Sequence, residues 1–118
     1  MAQIKVVIVR VGEQPQIELI NDDLKTMQTI VGGYIEVQNL DCGFYLTCNE
    51  DGIRLKLAPN GCSILGNYFI TKINNTGDYI SLNDKECEMV LAYVVLHRSS
   101  KFNSVIKTIE ELFNNQDL

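Results

Sequence analysis

The first hydrophobic run, Gln3 to Val11, places Ile4, Val6 and Ile8 on one side of an extended chain and Val7, Val9 and Val11 on the other. β-Branched residues on both sides predict a central strand with one face fully buried. Gly12 to Pro15 is turn-forming. Gln16 to Ile20 alternates again, which predicts a strand returning antiparallel to the first. The period then changes. Asn21, Asp22 and Asp23 supply caps and first-turn acids, and Leu24, Met27, Ile30 and Val31 recur at helical spacing. Gly32 suits the left-handed residue that stops a helix, so a short helix is predicted over 23–31.

Residues 34–40 alternate, with Tyr34, Glu36 and Gln38 on one side and Ile35, Val37 and Asn39 on the other. Residues 44–49 run back after the tight turn Asp41-Cys42-Gly43, which predicts a β-hairpin. Residues 53–63 begin strand-like and break at Pro59-Asn60-Gly61, making this the least regular segment and the favoured functional loop. Asn67 to Ile73 reads as a strand, 74–77 as a turn and 78–81 as a short partner strand. Asn83 followed by Glu86 is a capping box opening a helix over 83–97, whose apolar stripe is Cys87, Val90, Leu91, Val94 and Val95. A second stripe, Val105, Ile106, Ile109, Leu112 and Phe113, predicts a further helix over 102–114. The elements sum to an α+β fold: an antiparallel sheet of five to six strands, one short helix on it and two C-terminal helices. A chain of 118 residues supports one core, so residues 1–118 are expected to form a single domain.

Charge narrows the partners. Fifteen acids against ten bases give a net charge of −5, which disfavours direct nucleic-acid binding and anionic membrane surfaces, since both need clustered Lys and Arg. The longest apolar stretch, Met89 to Leu96, is too short to span a membrane, and the N-terminus lacks the apolar region of a secretory signal. A cytoplasmic location follows as the expectation. Cysteines 42, 48, 62 and 87 form no C-x-x-C pair and read as reduced, small hydrophobes rather than metal ligands. His97 is the only histidine and ends a predicted helix, where it suits the dipole. Cys87 lies ten residues earlier on that helix, about 15 Å along its axis, out of reach of His97. No glycine-rich phosphate loop is present, and Gly32-Gly33 falls between a helix and a strand, the wrong order for one. No catalytic residue, metal or cofactor is expected. Glu36, Asp41, Glu50 and Asp51 gather around the first hairpin as strand-end acids, and most of the tyrosines read as half-buried with their hydroxyls at the surface.

The run Val31-Gly32-Gly33-Tyr34-Ile35-Glu36-Val37 resembles a small domain-of-unknown-function family of bacteriophage, plasmid and other mobile-element proteins, mostly from Gram-positive bacteria. The likeness extends from a charged, Pro-containing turn at Glu13 to Pro15, through Cys48-Asn49-Glu50-Asp51-Gly52 and Pro59-Asn60, to an I-x-G strand at Ile64 to Ile70. It ends with Ser81-Leu82-Asn83-Asp84 entering a helix, so that it covers about residues 3–92. The chain departs from the pattern after residue 95, and the 102–114 helix reads as an addition to a family-like core of about 3–97.

The resemblance carries no activity with it. It implies a mobile-element context, in which small proteins act by binding a host enzyme, a CRISPR effector or the nucleotide signal of a defence system. The expectation is a non-enzymatic binding protein that inhibits or sequesters a component of a bacterial host's antiviral defence, in the host cytoplasm. Its binding candidates are Tyr34, Glu36, Asn49, Glu50 and Asn60, the polar members of the family-like motifs. For Asn49 and Asn60 the structural alternative is turn chemistry, because Asn tolerates a left-handed backbone. Two other functions stand beside this one. One is a nucleotide- or small-molecule-binding enzyme with its site at the 57–63 loop. The other is an oligomeric structural module that uses the 102–114 helix to form a homo-oligomer.

Overall fold

The computed structural model of the protein describes residues 2–98. The helix expected over 102–114 lies outside the described residues. Within them the elements are β1 (Gln3–Val9), β2 (Gln16–Asn21), α1 (Leu24–Val31), β3 (Ile35–Asn39), β4 (Tyr45–Asn49), β5 (Tyr68–Ile73), β6 (Tyr79–Ile80) and α2 (Asp84–Arg98). All strand pairings are antiparallel, in the order β2-β1-β5-β4-β3, with β6 on β5. The expected α+β architecture of five to six antiparallel strands is observed, with two helices among the described residues.

Strand β1 is apolar on both sides because both sides are covered. Val6, Val7, Ile8 and Val9 are all buried. Val7 and Val9 join Leu46, Tyr68 and Ile70 under Cys87, Val90 and Val94 of α2. Ile4, Val6 and Ile8 join Ile20 and Phe69 under Met27 and Val31 of α1. The sheet is thus the middle layer between two helices. The single buried face expected for β1 is corrected to two, since one helix covers each side.

The helix boundaries follow their caps. Asp23 accepts the Thr26 N–H at 2.7 Å to open α1, and Gly32 closes it at φ 79°. Asn83 and Glu86 form the reciprocal capping box of α2, at 2.8 and 2.9 Å. Lys5 fixes where α2 starts. Its N–H donates to Ser81 Oγ, its carbonyl accepts from the Leu82 N–H, and its ammonium pairs with Asp84 at 2.8 Å.

One expected element differs. Residues 53–57 were expected to begin as a strand but are a series of turns, closed by Leu55 N–H to Asp51 O and Leu57 N–H to Gly52 O. No strand pairs with them, and Ile53 and Leu55 stay 85% and 45% exposed, so alternation there has no buried face to serve.

Candidate functional site

The motifs that carry the family resemblance turn first to holding the fold. Asn49, at the end of β4, sends its amide to the Val31 carbonyl at 3.1 Å and accepts the Asp51 N–H on Oδ1 at 2.7 Å. It reaches Val31 past Gly33, where an added Cβ would sit 2.9 Å from the Asn49 nitrogen. Asn60 donates to the carbonyls of Val9 and Gly66, both at 2.9 Å, and accepts from Arg98 on Oδ1 at 2.7 Å. Neither asparagine has a left-handed backbone, and both are buried. The turn chemistry weighed for them from sequence is met at Asn49, whose Oδ1–Asp51 bond is an Asx turn on an ordinary backbone, while Asn60 bonds across the chain instead. Among the described residues, the non-glycine positions with positive φ are Asp41, Lys56, Cys62 and Ser63.

The loop Pro59–Leu65 is closed at its base by a bridge between those two residues, with the Asn60 N–H donating to Ile64 O. At its tip Gly61, Cys62 and Ser63 have φ values of 82°, 53° and 60°. Two non-glycine residues in succession there are unfavourable by roughly 1 kcal/mol or more each, a cost met only where surroundings fix the chain. Arg98 supplies that fixing. Its guanidinium donates to Asn60 Oδ1, to Arg10 O at 2.7 Å and to Glu13 O, tying the end of α2 to both the loop and the β1–β2 turn. Gly61 permits the approach, because a Cβ there would lie 2.7 Å from Arg98 Cγ.

The loop separates two clefts. One, of about 830 Å³, lies between the loop, the Gly12–Pro15 turn and the end of α2. The other, of about 480 Å³, lies between the loop, the Glu50–Arg54 turn and the edge strand β3. Ser63, Ile64 and Leu65 line both.

Three of the five candidate residues line the second cleft, and a fourth, Tyr34, is joined to them through its main chain. Glu36, Asn49 and Glu50 line it, and the Glu50 N–H donates to Tyr34 O at 2.9 Å. Tyr34 is 69% exposed. Asn60 is separated from them and lines the first cleft. Ile53, also on the second cleft, and Arg98 are the residues that sequence reasoning did not select. The exposure of Ile53 follows from the missing strand, and the contacts of Arg98 are with residues far away in the chain, so no local pattern marked either.

Three of the thiols are held away from the reactive thiolate state. Burial, reinforced by the Glu36 carboxylate, pushes the Cys48 thiol up to about 11. Burial also raises Cys62, against the lowering effect of the Tyr68 hydroxyl, and it raises Cys87. All four cysteines are free thiols, and thiols raised in this way are protonated and weakly nucleophilic. Asp51 is lowered by its hydrogen bond to Arg54 at 3.0 Å. His97 stacks on Tyr93 with ring centroids 4.1 Å apart, and its Nδ1 lies 2.9 Å from Tyr93 O. Three of the five tyrosines, Tyr45, Tyr79 and Tyr93, are half-buried, as expected for most of them, while Tyr68 is fully buried and Tyr34 largely exposed. Among the described residues no group of three or more His, Cys, Asp or Glu side chains is placed to hold a metal ion, and no helix is long and apolar enough to cross a membrane.

A family model described as a domain of unknown function, DUF3846, matches residues 4–94. No curated protein and no solved structure matches the chain.

Proposed function

The chain belongs to the DUF3846 family of domains of unknown function, and from that premise we propose that it is a small non-enzymatic binding protein that docks a partner protein at the cleft beside β3. We place it in a phage or other mobile element, inhibiting or sequestering a component of the bacterial host's defence in the host cytoplasm. The observation that carries the docking surface is the exposure of Tyr34 and Ile53, at 69% and 85%, on or beside a cleft lined by Glu36 and Glu50. Large apolar side chains left in water beside a polar rim are the makings of a protein interface, where an aromatic anchor supplies most of the affinity. The rim is acidic, which favours a partner with a basic surface and speeds the encounter. The raised thiols support binding over nucleophilic catalysis.

The test is capture from a bacterial lysate with the tagged full chain, beside Ile53→Asp and Glu50→Lys. Both substitutions fall on exposed side chains and leave the core untouched. The expected result is one partner at stoichiometric yield with the wild type, lost with Ile53→Asp and weakened at low salt with Glu50→Lys. A partner retained equally by all three chains refutes the proposed surface.

A further inference from the structure

The cleft on the other side of the loop has a different chemistry. Arg98 is the only cation among its described lining residues. All three of its hydrogen bonds go to neutral oxygens, those of Glu13 O, Arg10 O and the Asn60 amide. It makes no ion pair among the described residues. A guanidinium carries five N–H donors, so this one is fixed in place by three bonds, while no described carboxylate pairs with it and part of its donor set is unused by described residues. On the same lining, Gly61 and Ser63 flank Cys62, and the N–H groups of all three make no hydrogen bond to a described residue, on a backbone held at positive φ throughout. The opposite wall is open at Gly12, where a Cβ would meet nothing within 4 Å. Pro15, Pro59, Ile64 and Val95 supply apolar surface beside these polar groups.

We propose that this cleft binds an oxyanion, a phosphate or carboxylate group of a small ligand, on Arg98 and the Gly61–Ser63 main chain. The inference is independent of protein docking beside β3. Glu13 is the one described acid on the lining, and it contributes its main-chain carbonyl, not its carboxylate, to Arg98. The site therefore has a built-in opposing charge that can be removed without disturbing the bonds that hold Arg98.

The experiment is an amide NMR titration of the full chain at constant ionic strength, with sodium phosphate in one arm and sodium acetate in the other. It follows Gly12, Gly61, Cys62, Ser63 and the Arg98 side chain. Saturable shifts at these groups are expected. Saturation by phosphate alone assigns a phosphate group, and equal saturation by acetate assigns a carboxylate. Gly12→Asp and Gly12→Asn are compared because both residue types accept the φ of 77° and differ in charge. The Asp variant is expected to bind about tenfold more weakly than the Asn variant, and Glu13→Gln about threefold more tightly than the wild type. Shifts that fail to saturate with either anion, or equal binding by the Asp and Asn variants, overturn the proposal.

Discussion

The Asn49 side-chain amide meets the Val31 carbonyl at 3.1 Å, joining the end of β4 to the last residue of α1. Val31 is within the last turn of its helix, so its carbonyl has no N–H four residues on to accept from. Asn49 satisfies it, and the bare backbone of Gly33 leaves the space to do so.

Gly33→Ala is expected to destabilise the protein by about 1–3 kcal/mol, by pushing the Asn49 amide off Val31 and leaving buried groups unsatisfied. Urea denaturation measures it. In an Asn49→Ala background the same substitution is expected to cost far less, since the obstructed side chain is gone. Equal costs in the two backgrounds would show that Gly33 matters for another reason.

Asn60→Ala removes donors from Val9 O and Gly66 O together and leaves Arg98 without one of its acceptors. A loss of roughly 2–4 kcal/mol is expected, read from the denaturation midpoint. Hydrogen exchange should accelerate first at residues 59–66, the loop that Asn60 closes.

Alkaline titration should destabilise the fold through Cys48. Its thiol ionises near 9 when unfolded and only at about 11 when folded. Between those values the unfolded chain holds fewer protons than the folded one, so stability falls as pH rises across that window. Cys48→Ala is expected to be less stable at pH 7 but to show a shallower decline from pH 9 to 11.

Glu86 gives the acid limb the opposite sign. The Asn83 N–H and then Lys72 hold its carboxyl below the ordinary value of 4.5. The stability this contributes is present above 4.5 and is lost as pH falls through the lowered folded value. Glu86→Gln keeps an oxygen for the capping box and removes the charge. Its thermal midpoint is expected to fall less than that of the wild type as pH drops below 4.5.

Sequence periodicity located the elements whose residues follow a single local rule. The Asn83–Glu86 capping box, the Gly32 stop and the Asp41–Gly43 turn each act within four residues, so their spacing is visible along the chain. The candidate site was legible in part for the same reason. Glu36 and Asn49 sit on the paired strands of one hairpin, with Tyr34 and Glu50 one residue beyond the strand ends, and pairing such as Ile35 opposite Asn49 brings them together. Arg98 and Asn60 are 38 residues apart and meet only because α2 runs the length of β1 to the Gly12 turn. Tertiary geometry of that kind leaves no period to read. Residues 53–57 misled for the converse reason, because their alternation has no neighbouring strand to pair with.

The loop Pro59–Leu65 is a shared wall, with Ser63, Ile64 and Leu65 belonging to both clefts. A shift of that wall toward one cleft would be a shift away from the other. An occupant that prefers one position of the wall must change the affinity of the opposite side, and by the same factor in each direction. A small anion bound beside Arg98 and a protein bound beside β3 would then behave as linked ligands, with the concentration of one setting the occupancy of the other.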